Sequence, residues 1–289
     1  MALQEKLDKR QFVVTIEIQP AADQGLYQLL NDINCIKGRV DCLNIPEHKK
    51  PSQDIDSLAT GKALAEQDYE TIYQTTTRRK HRPNLEADLL RANQIGIQNV
   101  LVFNEDYTIA GSAPDERMFF HVDSAKLFSV LGSLKDGRDI KGDQLQAPVS
   151  FVLGSGVDPA KGKNMPAHGL KEMEEMVEQG TRFFQTSPVF DLDSFKDFMY
   201  LIEPFGISVL AGVMLLRTGE MARFIQKQMG INVPDWIIDK MTRAPYKLKA
   251  SIEIFAELVN GLRDLCQGVH IIPLGWYDKL PLFLDAARL

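Results

Sequence analysis

Eight short segments rich in apolar and β-branched residues alternate with longer amphipathic segments along the whole chain. The candidate strands are Phe12–Ile18, Val40–Ile45, Thr71–Thr77, Val100–Phe103, Val149–Leu153, Phe183–Thr186, Val209–Leu215 and Val269–Leu274. Most of them are almost continuously apolar, which is typical of parallel strands that are covered on both faces. Because strands and amphipathic segments alternate, the sequence predicts a parallel α/β fold.

The amphipathic segments between these strands carry the boundary signals of helices. Pro83 begins one such segment and Gly96 ends it, and Gly180 follows the segment Leu170–Val177. Proline near the start and glycine beyond the end are the usual asymmetry of helices. Apolar stripes predict further helices at Leu26–Ile33, Ala125–Leu134, Phe195–Ile202, Met221–Met229, Ile252–Leu265 and Lys279–Ala287.

The number of strand–helix units points to a closed barrel. About eight units in a chain of 289 residues, without an obvious linker, fit a single-domain (β/α)8 TIM barrel better than an open sheet. A doubly wound sheet is the alternative, but no GxGxxG motif follows the first strand. Residues 232–246 are extra material after the seventh unit and predict a short helical insertion.

Charge and composition exclude several classes of protein. The formal net charge of −6 argues against nucleic acid as a partner. No apolar run approaches the roughly 20 residues of a membrane helix, and the charged N-terminus lacks the apolar core of a signal peptide. The three cysteines and five histidines show neither CxxC pairs nor metal-ligand spacing, so no metal site is predicted. We therefore expect a cytoplasmic protein.

Polar residues gather where the predicted strands end, which is where TIM barrels place their active sites. They are Glu17, Asn44, Thr75, Thr76, Thr77, Asp106, Gly154, Ser155, Gly156, Gln185, Thr186 and Arg217. Glu17 is the most informative of them, because it lies between Ile16 and Ile18 on an otherwise apolar strand. A buried carboxylate costs several kcal/mol unless it is paired or protonated. Glu17 is therefore either a proton donor or the partner of a barrel arginine.

The other strand-end residues also have two interpretations. Asp106 could contact a ligand or cap the following helix. The amide of Gln185 could donate to and accept from a planar heterocycle, or it could be an inert core amide. The glycines at 154 and 156 allow the backbone to approach a ligand closely, although they are a weak signal for a phosphate cradle.

Several of these segments resemble one family. The first strand, VVTIEIQPA, is followed by DCLNIPEH, QTTTRRKHRPNLEADLLRANQIGIQNVLVFNED, FVLGSGVDP, VLAGVMLLRTGEMARF and GVHIIPLGW. VEQGTRFFQTSPVFD is the most specific piece, because it fits the pattern E-x-G-x-x-F-x-Q-T-x-x-x-F-D. Together, from Phe12 to Leu284, they resemble the methylenetetrahydrofolate reductases, whose catalytic unit is a flavin-binding TIM barrel.

The resemblance implies a reaction and a set of site residues. Glu17 takes the place of the general acid, Asp106 lies near flavin and pterin, and Gln185 binds folate together with Thr186. Arg217 or Arg223 is the candidate for binding the acidic tail of folate. The implied cofactor contacts are Asn44, Gln74, Thr76, Asp106, Gly154, Ser155 and Gly156. The implied activity is hydride transfer from reduced flavin to 5,10-methylenetetrahydrofolate, in one-carbon metabolism and methionine biosynthesis.

Departures from the family pattern leave the cofactor and electron donor open. Gln74 stands where many members have a flavin-contacting histidine, and Met176 stands where a lysine often meets the flavin phosphates. Gly219 falls near an aromatic that helps to bind substrate or nicotinamide. FAD is the implied cofactor with FMN as the alternative, and NAD(P)H is the implied electron donor.

Two other functions compete with a stand-alone reductase. In one, the chain is the flavin- and folate-binding subunit of a larger complex and takes electrons from a partner protein. In the other, it is a pterin-binding methyl-transfer domain without redox chemistry. We also expect an oligomer.

Overall fold

The computed structural model describes residues 2–19, 25–46, 56–76, 82–103, 124–159 and 165–289. In this part of the chain, parallel strands β1 to β8 follow one another around a closed barrel. Their bounds are β1 Val13–Glu17, β2 Cys42–Ile45, β3 Thr71–Thr76, β4 Asn99–Phe103, β5 Val152–Val157, β6 Thr181–Pro188, β7 Ser208–Met214 and β8 Gly268–Ile272. Val13 of β1 pairs with Gly268 of β8 and closes the barrel. The predicted (β/α)8 TIM barrel is confirmed, and the doubly wound sheet is excluded.

Helices connect the strands on the outside of the barrel. Their bounds are α1 Leu3–Asp8, α2 Leu26–Ile33, α3 Ser57–Ala65, α4 Arg82–Gln94, α5 Ser124–Lys135, α6 Ala167–Glu178, α7 Leu192–Ile202, α8 Gly219–Met229, α9 Asp235–Arg243, α10 Lys247–Leu262 and α11 Leu280–Ala287. Gly96 and Gly180 follow the ends of α4 and α6, as the sequence predicted, and both have positive φ. Helix α9 lies within the stretch predicted as an insertion.

Strand β5 begins and ends later than the sequence predicts. The prediction ended this strand at Leu153, but Gly154, Ser155 and Gly156 all lie within it. The pairing with β6 shifts register at Leu153/Gly154, and a Cβ at Gly154 would collide with the ring of Phe183. Glycine is therefore required here for packing inside the barrel. Glycines usually weaken a strand, but here the packing of Phe183 explains why β5 contains them.

Two helices were not predicted from the sequence. Helix α1 has six residues, which is too short for a periodic pattern, yet Leu3 and Leu7 are buried. Helix α3 has only a weak amphipathic pattern, and its Gly61 packs beneath Ile97. Asp56 caps α3 by accepting a hydrogen bond from the Leu58 N–H at 2.8 Å.

Helix α1 closes the amino end of the barrel. Its two leucines join an apolar cluster inside the barrel, formed by Leu3, Leu7, Val13, Cys42, Ile72, Leu101, Phe183 and Leu210. The Glu70 carboxylate accepts a hydrogen bond from the Leu3 N–H at 2.8 Å and so anchors the start of α1. The amino half of the interior is therefore filled, and a ligand must enter from the carboxyl end.

Candidate functional site

The carboxyl half of the barrel interior is lined by polar side chains. Along β1, Ile16 and Ile18 pack outward in the main core, so Thr15 and Glu17 point inward. The same alternation along the other strands turns further polar residues inward. The resulting polar cup consists of Thr15, Glu17, Asn44, Gln74, Gln185 and His270. Its position at the carboxyl ends of the strands is where TIM barrels carry out their chemistry.

A hydrogen bond across the barrel forms the floor of this polar cup. The Asn44 side chain on β2 donates to Gln185 Oε1 on β6 at 3.1 Å. Both residues are almost fully buried, and their strands lie on opposite sides of the eight-stranded barrel. The sequence prediction that Asn44 and Gln185 belong to one site is consistent with this contact.

Buried polar atoms in the cup have no partner among the described residues. Asn44 Oδ1, Gln74 Oε1 and His270 Nε2 are all buried and unpaired. An unsatisfied buried polar atom costs about 1–3 kcal/mol, so each such group calls for a partner. The two amide oxygens are acceptors and would accept hydrogen bonds from the N–H groups of a planar heterocycle.

Glu17 ends β1 at the edge of this cup, with 17% of its side chain exposed. Its Oε2 lies 3.9 Å from His270 Nε2. Among the described residues, Glu17 forms no salt bridge with an arginine, so this part of the chain does not provide the structural partner that the alternative interpretation requires. The carboxyl group thus faces the cup, where it can meet a ligand.

Tyr277 fixes the chain immediately after Glu17. Its hydroxyl accepts a hydrogen bond from the Gln19 N–H at 2.7 Å and donates to the Gln19 carbonyl at 3.1 Å. Burial raises the pKa of the Tyr277 phenol well above its usual value, and the nearby Glu17 charge raises it further. The phenol therefore stays neutral and holds the end of β1 in place.

Other predicted residues lie outside the polar cup. The Thr186 hydroxyl accepts from the Gly212 N–H at 3.0 Å and donates to the Ser187 carbonyl at 2.7 Å, so the backbone occupies it. Ser155 pairs with Val102, which packs outward, and its buried hydroxyl lacks a partner among the described residues. The close approach that Gly154 permits is made by Phe183.

Three further predicted residues are Gly156, Thr76 and Asp106. Gly156 pairs with Gln185 near the carboxyl end of β5. Thr76 is the last residue of β3. Asp106 lies outside the described residues.

Arg217 lies at the rim, in the connection that follows β7. It is exposed, its guanidinium lies over the Trp276 ring at 5.2 Å, and it donates a hydrogen bond to the Leu274 carbonyl. These contacts with the connection after β8 hold a cation at the mouth of the barrel. The arrangement suits the binding of an anionic group outside the cup.

The inserted helix α9 packs against the start of α8. Gly219, the first residue of α8, is buried, and a Cβ there would collide with Thr242 of α9. No larger side chain fits at this position without moving α9. An aromatic side chain at position 219 itself is therefore excluded in this arrangement of α8 and α9.

Thr15, His270 and Tyr277 were missed by the sequence analysis. The signal for His270 was present, because it is the single polar side chain in the apolar strand GVHII. Tyr277 follows the last strand and gave no pattern.

The described residues contain no group of three or more His, Cys, Asp or Glu that could hold a metal ion. No helix within the described ranges is long and apolar enough to cross a membrane.

The family described as methylenetetrahydrofolate reductase matches residues 2–279. No curated protein matches. A solved structure described as an uncharacterized protein from Clostridium thermocellum that binds two copies of 5-methyl-5,6,7,8-tetrahydrofolic acid is similar, with a TM-score of 0.65 and 13% identity over 99% of this chain and 98% of that one.

More distant structures share the fold alone. EDTA monooxygenase from Chelativorans sp. has a TM-score of 0.53 at 10% identity, over 96% of this chain and 92% of that one. A ligand-free tryptophan synthase from M. tuberculosis has a TM-score of 0.53 at 11% identity, over 100% of both chains. The family match covers nearly the whole chain and agrees with a polar cup at the carboxyl end of the barrel. This chain belongs to the methylenetetrahydrofolate reductase family.

Proposed function

We propose that this protein reduces 5,10-methylenetetrahydrofolate to 5-methyltetrahydrofolate with a hydride from a bound flavin. The observation that carries the proposal is the polar cup itself, where Glu17 stands beside unpaired amide acceptors, with the apolar cluster of the amino half of the barrel beneath the cup. The family match and the folate bound by the Clostridium thermocellum protein of the same fold support this choice of substrate.

The cup suits planar heterocycles of the flavin and pterin type. Both carry ring N–H donors, and Asn44 Oδ1 and Gln74 Oε1 are buried acceptors without partners among the described residues. When bound, reduced flavin would supply the hydride, while the protein supplies orientation and electrostatics. FAD is the cofactor that we propose from the family, with FMN as the alternative.

Glu17 would act as the general acid in the opening of the substrate ring. The bond between the bridging methylene and one folate nitrogen breaks, and that nitrogen takes a proton from the Glu17 carboxyl group. The methylene carbon then becomes electrophilic and accepts the hydride. Because Glu17 is mostly enclosed at the edge of the cup, its carboxyl group is held close to a ligand that binds there.

Gln185 and Asn44 would hold the pterin ring at the floor of the cup. Their mutual hydrogen bond orients both amides before a ligand arrives, which reduces the entropy lost on binding. At the rim, Arg217 would attract the negatively charged tail of folate. We propose Asp106, Thr76, Gly156, Ser155, Gly154 and Thr186 as further contacts on the resemblance alone.

Replacement of Gln185 with alanine should weaken folate binding more than flavin binding. Loss of one or two hydrogen bonds to a neutral ring should cost about 1–3 kcal/mol, or roughly 5- to 150-fold in Kd. Titration of the flavin-loaded protein with 5-methyltetrahydrofolate would measure this change. Gln94→Ala, at the exposed last residue of α4, is the matched control. Unchanged folate affinity in Gln185→Ala would remove this residue from the site.

A second candidate function rests on the contact between Gly219 and α9. Because Thr242 occupies the space beside Gly219, an aromatic side chain at position 219 itself cannot help to bind nicotinamide. The chain would then bind flavin and folate as a subunit of a larger complex, and a partner protein rather than NAD(P)H would reduce the flavin. The two candidates share the folate half of the site and differ only in the electron donor.

A further inference from the structure

His270 connects Thr15 to Glu17 inside the barrel. The His270 Nδ1 lies 2.9 Å from Thr15 Oγ1, and its Nε2 lies 3.9 Å from Glu17 Oε2. The histidine is only 1% exposed, and Nε2 has no hydrogen-bond partner among the described residues. The site described above leaves this buried imidazole without a role.

Counting donors and acceptors indicates which nitrogen of His270 carries the proton. If Nδ1–H donated to Thr15, the buried Thr15 hydroxyl hydrogen would lack an acceptor among the described residues. The Nε2 lone pair would also face the oxygen atoms of Glu17. If Thr15 donates to Nδ1 instead, Nε2 carries the hydrogen and points at Glu17. This second arrangement leaves fewer buried donors unpaired and avoids repulsion between Nε2 and the carboxylate.

We propose that His270 is a positioning residue for Glu17, with the Thr15 hydroxyl donating to Nδ1 and the Nε2–H donating to the Glu17 carboxylate as it loses its proton. The gap of 3.9 Å is longer than a hydrogen bond, but Glu17 ends its strand and is partly exposed, so its side chain has room to close it. A donor aimed at the developing carboxylate favours proton release, because the charge appears where the N–H already points.

Few other titratable groups face this pair. Strand β7 borders β8 on the side away from β1. There His270 pairs with Gly212, which has no side chain. From the connection after β8, the neutral Tyr277 phenol faces Glu17. The charge of Asp32 on α2 raises the pKa of the same phenol. The polar neighbours Asn44, Gln74 and Gln185 are neutral amides. Within the described residues, His270 is therefore the side chain to which we assign the effect on Glu17.

The inference rests on the proposed function, in which Glu17 is the acid, and a pair of histidine variants tests it separately. In His270→Asn, the shorter amide reaches about as far as Nδ1 of the histidine, so the variant has no donor in the place of Nε2 toward Glu17. In His270→Gln, an amide N–H can occupy the place of Nε2. The measurement is the rate at which 5,10-methylenetetrahydrofolate reoxidises the dithionite-reduced flavoprotein, followed from pH 5 to 10. His168→Asn, an exposed histidine on α6, is the control.

The alkaline limb of this pH profile reports loss of the acid form of Glu17. Without the donor, the proton is held more tightly, so in His270→Asn the limb should move to higher pH by about one unit, and the plateau rate should fall about tenfold. His270→Gln should stay within about 0.3 unit of the parent, because it restores the donor. A merely structural histidine would lower stability or rate without moving the limb.

The outcomes separate this inference from the proposed function. If His270→Asn, His270→Gln and the parent share one limb while Glu17→Gln is slow, the role of His270 is wrong and the acid assignment stands. If Glu17→Gln is as fast as the parent, the assignment of Glu17 as the acid fails, and the role of His270 fails with it. If the reduced parent protein does not transfer a hydride to the folate, the proposed function itself fails. Should His270→Asn not fold, Thr15→Val removes the donor to Nδ1 with little change in shape, and it should move the limb in the same direction. An unmoved limb there would also contradict the inference.

Discussion

Replacement of Glu17 with glutamine should slow the reduction of 5,10-methylenetetrahydrofolate by about 10²- to 10⁴-fold, the usual contribution of a general acid. Glutamine has nearly the same shape as glutamate but has no proton to donate to the departing nitrogen. Reduction of the flavin by dithionite should keep the parent rate, because it requires no such proton. Single-turnover measurements of the two half-reactions would give both rates.

Glu257→Gln is a matched control, because it makes the same chemical change at an exposed position on α10. It should leave both half-reactions unchanged. Folate turnover near the parent rate in Glu17→Gln would show that another group donates the proton. Glu17 would then have no role as the acid.

Reduction of the flavin by NADH or NADPH should be about 10²-fold slower than in an enzyme that stacks the nicotinamide on the flavin. Hydride transfer needs this stacking at near-attack distance, and the contact of Gly219 with Thr242 excludes an aromatic side chain at position 219 itself. Small donors such as dithionite or a reduced viologen need only electron access to the ring, so they should reduce the flavin readily.

Stopped-flow reduction of the flavin distinguishes the two candidate functions. Slow and unsaturated reduction by both nicotinamides, with fast reduction by the viologen, supports a subunit that takes electrons from a partner protein. Fast and saturable bleaching by NADH would contradict this prediction and favour a stand-alone reductase.

The sequence predicted the barrel because its strands and helices differ clearly in the spacing of their apolar residues. Apolar strands and capped amphipathic helices are local properties, and eight of each in this length fit a closed barrel. Glu17 could be identified for a similar reason, since a single carboxylate on an apolar strand is a local anomaly. Gln185 was placed by a motif that the resemblance supplied.

The missed features depend on contacts between distant parts of the chain. Helix α1 is too short to show a pattern, and its role becomes visible only when Leu3 and Leu7 meet Phe183 inside the barrel. His270 is 253 residues from Glu17 in sequence, and only closure of β8 onto β1 brings them together. Strand pairing of this kind cannot be read from local propensity.

Gly154 and Gly219 show how much the role of a glycine depends on its neighbours in the fold. Both were interpreted as room for a ligand or as the loss of a ligand contact. In the structure each glycine is required by a neighbouring side chain, Phe183 in one case and Thr242 in the other. A sequence shows that a Cβ is missing, but it does not show which group takes its place.

Anaerobic mixing of the dithionite-reduced flavoprotein with 5,10-methylenetetrahydrofolate tests the central claim most directly, because it bypasses the electron donor. Hydride transfer predicts that the visible absorbance of oxidised flavin returns and that one equivalent of 5-methyltetrahydrofolate forms for each flavin. A preparation that binds no flavin, or a reduced flavin that stays reduced in the presence of saturating folate, would contradict the claim.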